Sequence, residues 1–300
     1  MNIDLHQLAV FVEVSRTRNV ARAAENLGLT PSPVSRTLRT LEHRTGPLFH
    51  RAHHDMQLTD HGRALLGTAV SILQLSRVFE DKAAGVERTL RYGATPWVPD
   101  SYADAFRTAV GLSGITPEDT ASEVSVTLLE KLRFGEIDMA LVHLPVDLPD
   151  ISSLALGNYT FDLMAAADDP LVRIAADGPV PLAALRGRQV VTLPFSQMQP
   201  DSGSNVRDWF IQAGVTDITE VTFSDYAVLT SRLARTHEIS IGARGHSLSQ
   251  VRGTDGKVVM LPVKDPQPQF EIGVVWRSAA TARREEIDRV VAALTDRFRN

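Results

Sequence analysis

The sequence predicts an α/β protein in three parts: an N-terminal winged helix-turn-helix, a long linker helix, and a larger body of alternating strands and helices. Three observations lead there. Residues 20–42, VARAAENLGLTPSPVSRTLRTLE, carry the caps and the turn of two short helices. The stretch from Asp60 to about Glu87 keeps one apolar stripe at helical spacing, and beyond Arg88 strand-like runs alternate with helical ones.

The head is read first. Residues 3–17 form a helix with Leu5, Leu8 and Val12 on one side and Phe11 beside them. Asn19 caps the next helix, whose apolar strip is Ala23, Ala24 and Leu27, and Gly28 supplies the left-handed residue that ends it. Thr30 is positioned as the following N-cap and Pro31 at the first helical position, where its missing N–H costs nothing. Along this third helix Val34, Leu38 and Leu41 face a core. Ser32, Ser35, Arg36 and Arg39 make a second stripe of hydroxyls and guanidinium groups, which suits phosphates and base edges. A merely solvated basic face is the alternative. The agreement of caps, turn, core stripe and polar face favours DNA, with Thr30, Pro31, Ser32, Ser35, Arg36 and Arg39 as contacts. Gly46-Pro47 ends the helix, and LFHR and MQLT around AHHD read as a two-stranded wing with Arg51, His53 and His54 near its tip.

Charge supports this division. Seven arginines against five carboxylates give residues 1–59 a net +2, so the remainder carries −7 of the total −5. A mildly basic head on an acidic body fits a DNA-binding unit joined to something else, and so modest a charge calls for a dimer or tetramer. His50, His53, His54, Asp55 and His61 lie within twelve residues, but their spacing matches no closed metal site, so solvated or phosphate-contacting histidines are expected and no metal or cofactor. Three hundred residues suggest two or three domains. No apolar run of 18 or more residues and no basic-then-apolar leader is present, so a cytoplasmic location away from any membrane is expected. The absence of cysteine excludes disulfides, thiolate zinc sites and thiol-based peroxide sensing.

Thr59 caps the linker helix of residues 60–87, whose stripe is Leu65, Leu66, Ala69, Ile72, Leu73, Ser76 and Phe79. In the body, TLRYGA, ASEV, IDMALVHL, YTFDLMAAA, RQVVTLP, ITEVTF, EISIGA, KVVMLPV and FEIGVVW read as strands. WVPDSYADAFRTAV, SVTLLEKLRFG, DSGSNVRDWFIQAG, SDYAVLTSRLAR and TARREEIDRVVAALTDRFR read as helices. Such alternation predicts open, mostly parallel sheets covered on both faces.

Residues 1–62 resemble the winged helix-turn-helix of the LysR-type transcriptional regulators. DLHQLAVFVEV, ARAAENLGLTPSPVSRTLRTLE and PLFHRAHHDMQLTDHG follow in the family's order and spacing. Where the family often has Gln-Pro-Ala, this chain has Pro31-Ser32-Pro33, which removes a glutamine able to read adenine. The resemblance implies DNA binding over residues 1–59, pairing of linker helices 60–87 antiparallel in a homodimer, and a homotetramer on an imperfect palindromic operator in double-stranded DNA. It also implies a periplasmic-binding-protein-like regulatory domain over 88–300, with lobes at 89–160 plus 266–300 and at 161–265. The crossovers then fall near Pro145–Tyr159 and Lys264–Pro268.

In open α/β sheets a ligand sits beyond the carboxyl ends of strands, where helix N-termini offer free N–H groups. That places Thr95, Pro96, Trp97 and Ser125 in the first lobe and Thr192 and Pro194 in the second as effector contacts. Ser125 also falls where the family has an effector-contacting hydroxyl, although capping its helix is its plain structural role. His143 ends a strand and could face the cleft, and Arg244 could pair with a ligand carboxylate, although RTHEISIGARG departs from the family there. A small organic anion, such as an aromatic carboxylate, is the expected effector. No G-x-S-x-G, G-x-G-x-x-G after a strand or phosphate-binding loop points to an enzyme. The remaining alternative is a DNA-binding repressor that ignores ligands.

Overall fold

The computed structural model describes residues 3–52, 55–85, 89–96, 98–192, 194, 200–221, 226–246, 256–264, 267–278 and 283–299. The head is built from α1 (Leu5–Thr17), α2 (Val20–Asn26), α3 (Pro31–Thr45) and a hairpin of β1 (Phe49–Ala52) and β2 (Asp55–Leu58) paired Phe49 to Leu58. Asn19 caps α2 by accepting from the Ala21 and Arg22 amides at 2.9 and 3.0 Å. Gly28 has φ 66°, which ends the turn as its lack of a side chain allows. Val34, Leu38 and Leu41 are all buried, each contributing roughly 1.5–3 kcal/mol of apolar burial. One expected core residue is displaced. Leu5 is exposed, and Val10 and Val14 complete the buried face of α1 beside Leu8 and Phe11, because the first turn of the helix overhangs the core.

The linker helix α4 (Asp60–Ala83) starts on the Thr59 hydroxyl, which accepts from the Gly62 amide at 2.9 Å. Its predicted stripe divides. Leu66, Ala69 and Val70 are buried in the head's own core, with Leu65 and Leu73 against it. Ile72 and Phe79 stand out in solvent together with Leu75, which the stripe omitted. Apolar periodicity marks a covered face but does not say which neighbour covers it.

The first α/β unit has the sheet order β4-β3-β5-β12-β6, formed by β3 (Thr89–Ala94), β4 (Thr116–Ser122), β5 (Met139–Leu144), β6 (Ile151–Tyr159) and β12 (Phe270–Arg277). α5 (Asp100–Gly111) and α10 (Arg284–Phe298) cover the face carrying Met139, Leu141, Ile272 and Val274. α6 (Ser125–Arg133) covers the other, against Ala140, Val142 and Val275. The second unit pairs β10 (Ser240–Ala243), β7 (Phe161–Ala166) and β11 (Val258–Leu261), with β8 (Gln189–Thr192) beside β9 (Asp217–Glu220). Here α7 (Pro170–Ala176) and α8 (Pro200–Gln212) lie on one side, and α9 (Tyr226–Thr236) packs Leu229 and Leu233 on Met164 and Val191 on the other.

Neither main sheet is mostly parallel: the five-stranded one is mixed, with β12 antiparallel to β5 and β6, and the three-stranded one is antiparallel throughout, with β7 against β10 and β11. Strands that carry the chain between the units enter from the opposite end, so they reverse direction. Residues 151–159, expected within a crossover, form the edge strand β6, and the passage between sheets narrows to Thr160.

Candidate DNA interface and effector cleft

On α3 the residues predicted to meet DNA stand clear of the head. Thr30, Pro31, Ser32, Arg36 and Arg39 are exposed and Ser35 is partly so. Thr30 sits at the N-cap position, but its hydroxyl makes no capping bond. Among the described residues Arg36 and Arg39 have no ion-pair partner. The far end of α3 is fixed to the wing by Glu42, whose Oε1 accepts from the Leu48 and Phe49 amides at 3.0 and 3.3 Å. His61 Nε2 lies 2.7 Å from the Thr45 carbonyl, which engages one member of the histidine cluster in holding the helix end. The Arg51 backbone lies in β1; His53 and His54 fall outside the described residues, as does Trp97. The arrangement presents two unpaired guanidinium groups and a row of hydroxyls on one rigid helix, suited to a phosphate backbone and base edges.

The cleft-side residues behave differently. Ser125 is the first residue of α6, after Val124 at the cap position, so its hydroxyl does not cap the helix as its plain structural role would have it. Instead Ser125 Oγ accepts from the His143 amide at 3.0 Å and lies 3.1 Å from His143 Nδ1. His143 Nε2 is 2.5 Å from the hydroxyl of Tyr159, whose ring stacks on Phe270 with centroids 5.4 Å apart. His143 is partly buried, with the rings of Tyr159 and Phe270 against its imidazole, and burial pushes its pKa down to about 4 and raises that of the Tyr159 phenol. Neutral His143 has one ring proton. Either Ser125 donates to Nδ1 while Nε2–H donates to Tyr159, or Tyr159 donates to Nε2 while Nδ1–H donates to Ser125. In the second arrangement both acceptor positions of Ser125 Oγ are filled, and its own proton is presented to an acceptor.

Thr95 is buried at the end of β3, its amide donating to the Leu141 carbonyl at 3.0 Å, and Pro96 follows partly exposed. Thr192 is buried at the end of β8 with its carbonyl taken by the Val221 amide at 2.8 Å, and Pro194 is partly buried. The Arg244 guanidinium is engaged by Asp162 at 2.8 Å. It borders a cavity of about 370 Å³ that Tyr159 also lines, with Tyr102 and Gln269. Ser125, His143 and the Arg244 cavity are thus joined through Tyr159. The two α/β units meet nearby, where the Asp100 amide donates to the Gly245 carbonyl at 3.1 Å.

Comparison with known proteins decides what carries this site. Residues 5–63 match the profile of the bacterial regulatory helix-turn-helix proteins of the lysR family, and residues 119–299 match the LysR substrate binding domain. The chain belongs to the LysR-type transcriptional regulators. The HTH-type transcriptional regulator BudR of Raoultella terrigena is 26% identical over 298 residues, covering 94% of this chain and 97% of BudR. Among solved structures, ArgP from Mycobacterium tuberculosis aligns with a TM-score of 0.62 at 21% identity, over 98% of each chain. A full-length OxyR variant from Pseudomonas aeruginosa aligns at 0.61 and 19%, over 98% of this chain and 95% of that one. CbnR in complex with its target DNA aligns at 0.51 and 18%, over 97% and 100%. This LysR-type regulator is therefore a DNA-binding transcriptional regulator rather than an enzyme, with a winged helix-turn-helix joined to a substrate-binding-type α/β domain. Among its described residues no helix is long and apolar enough to cross a membrane, and no group of three or more histidine or carboxylate residues could hold a metal ion.

Sequence reasoning about the LysR-type regulator passed over Tyr159 and Phe270. They come together because β12 pairs with β6 at Phe270–Tyr159, a contact spanning the whole second unit. An aromatic residue beside each of the two crossovers between the lobes was the available signal.

Proposed function

We propose that a small organic carboxylate bound between the two lobes controls where and how tightly this regulator holds DNA. The observation that carries this reading is the Ser125–His143–Tyr159 chain, which can present the Ser125 proton at the N-terminus of α6, beyond the carboxyl ends of β4 and β5. Thr95, Pro96, Trp97, Thr192, Pro194 and Arg244 complete the proposed surroundings. Arg244 is already paired with Asp162 through Nε and Nη2, so a ligand carboxylate would share the guanidinium with Asp162 or compete for it.

On the DNA side, Thr30, Pro31, Ser32, Ser35, Arg36 and Arg39 meet the major groove, while Arg51, His53 and His54 meet the backbone. Ile72, Leu75 and Phe79 recur at i, i+3 and i+7 with 40%, 48% and 75% exposure, an uncovered apolar face on a 24-residue helix. This supports a homodimer through the linker helix, assembled as a homotetramer, which reads an imperfect palindrome with two-fold related heads in the cytoplasm. The ligand-independent repressor is the reading favoured by Arg244 already being paired within the chain.

The deciding experiment is thermal unfolding of the full chain with benzoate and a panel of aliphatic acids, with Ser125→Ala as control. A ligand raises the melting temperature according to its concentration relative to its dissociation constant. The expected result is a rise that Ser125→Ala abolishes; a panel without effect on a chain that still selects specific DNA supports the ligand-independent repressor instead.

A further inference from the structure

Helix α6 ends in two different environments. Its first residue is Ser125, in the hydrogen-bonded chain just described. Its last turn, about 13 Å away at 1.5 Å per residue, lies against the linker helix and the DNA-binding head. We infer that Gln74 and Arg277 are positioning residues that seat the end of α6 on the linker, so that a change at Ser125 alters DNA binding within the same chain. The inference rests on the proposed role of Ser125.

The seat is built on carbonyls at and just beyond the C-terminus of α6, where the regular helical hydrogen bonds run out and Leu132 accepts from the Phe134 and Gly135 amides of the closing turn. The Leu132 carbonyl accepts from Arg277 Nη1 at 2.7 Å. Just past the helix, the Gly135 carbonyl accepts from Gln74 Nε2 and from Arg91 Nη2, both at 2.9 Å. Arg277 Nη2 donates to Gln74 Oε1, so the one amide of Gln74 both receives from the end of β12 and donates to the end of α6. Gln74 and Arg277 are 8% and 1% exposed. Contact is close enough that a methyl group at Gly135 would approach Gln74 Nε2 to 2.6 Å and Val70 Cγ1 to 2.9 Å. Phe134, the C-cap residue, packs against the head's core, whose buried members include Leu66 and Val70 of α4.

A buried guanidinium is an expensive way to hold two helices together. Its pKa is pushed down to about 10 by burial, with Asp138 opposing the shift. Asp138 is itself ion-paired to Arg91 at 3.1 Å. Buried charged groups replaced by apolar ones of the same volume often cost no stability, so firmness alone does not call for a guanidinium here. What the polar pair adds is one discrete seating, since a small slide of α6 breaks several directional bonds at once and leaves buried groups unsatisfied. Movement at the N-terminus of α6 therefore cannot be absorbed at its other end. It is passed to α4, whose first half is part of the head.

The experiment is a double-mutant cycle on the full chain, read as affinity for the tightest duplex that the wild-type chain selects from a random-sequence pool. Ser125→Ala is measured in the wild-type chain and in a chain with Gln74→Met and Arg277→Met, which fills the joint without its hydrogen bonds. Ser125→Ala is expected to shift the dissociation constant by about threefold or more in wild type and by less than about 1.5-fold in the methionine pair. Equal shifts in both backgrounds, or no shift in wild type, overturn the inference. A role confined to holding the fold would move the affinities but not this ratio. Should the methionine pair fail to fold, amide exchange of wild type against Ser125→Ala decides. Faster exchange reaching residues 132–135 and 70–75 supports the seat, and faster exchange confined to residues 125–130 overturns it. Melting shifts with benzoate and the same aliphatic acids on these chains separate the two readings: a shift present without coupling defeats only this inference, and a shift absent across the whole panel defeats the effector reading beneath it.

Discussion

The outward face of α3 and the inward end of α6 hold similar chemical groups in opposite states. On α3, hydroxyls and guanidinium groups stand exposed, and Arg36 and Arg39 have no ion-pair partner among the described residues. At α6, Ser125 and His143 are turned into the protein and satisfied by one another. A surface meant for a polyanion keeps its cations unpaired, because every internal carboxylate would compete with phosphate. A site meant for a small acceptor instead buries neutral donors, whose strength comes from a low local dielectric and fixed geometry. The difference predicts that substitutions on α3 change affinity with little effect on stability, and that changes at the relay lower stability and reach DNA affinity only indirectly, by a few fold through the far end of α6.

The largest effect expected is on neither surface but on the linker that places two copies of α3 on one operator. Leu75→Glu with Phe79→Glu puts charges on the uncovered face of α4 and should yield monomers in sedimentation. Operator affinity should fall by about 10²-fold or more as two-site binding becomes one-site binding. A variant that remains dimeric would move the dimer contact off this helix face.

The relay supplies the next largest effect. Burial holds the His143 pKa at about 4, below the ordinary imidazole value of 6.5, so unfolding takes up a proton between those values. Its contribution is present in full above pH 6.5 and is lost as pH falls toward 4, an effect of about 2–3 kcal/mol. Asp169 and Glu238, both held below their ordinary carboxylate values by arginine partners, lose their contributions only at lower pH. Urea unfolding at pH 7.5 and 4.5 should show this slope in wild type and a flatter one in His143→Gln. Equal slopes would assign the proton uptake to another group.

On α3, Arg36→Ala should weaken specific DNA binding by about 10- to 100-fold, as expected for a base-reading arginine. It should also make the salt dependence shallower by about one charge, with thermal unfolding unchanged. If affinity and salt slope both stay at wild-type values, Arg36 faces away from the DNA.

How far each region could be read from sequence follows the range of the interactions that make it. The head was legible because Asn19, Gly28, Pro31 and Gly46-Pro47 act on residues within a turn or two of themselves. Ser125 and His143 could be nominated one at a time from their positions at helix and strand ends. Their union with Tyr159 could not, since it needs the pairing of β5, β6 and β12 across the sheet. Edge strand β6 was missed because Gly157 and Asn158 blur an otherwise alternating run, and α7 because DPLVRIAADG is short and begins on a proline. Gln74 and Arg277 lie 203 residues apart, and their only local signals were a glutamine between two leucines and an arginine closing an apolar strand.

The two N-caps of the head sharpen the comparison on its smallest scale. Sequence placed Asn19 and Thr30 in the same role, and both occupy N-cap positions with extended backbones. Asn19 uses its side chain, accepting from two amides that would otherwise lack partners. Asn19→Ala is therefore expected to cost about 1 kcal/mol of stability. The hydroxyl of Thr30 makes no capping bond, so Thr30→Ala should change stability by less than about 0.5 kcal/mol. What Thr30→Ala should lose is DNA affinity, because an uncommitted hydroxyl beside the exposed amides of the first turn of α3 suits a phosphate oxygen. Chemical unfolding and DNA titration of the same two variants separate the cases. Equal stability losses would mean that Thr30 caps its helix in solution, and its place would then be in the scaffold rather than on the DNA-facing surface.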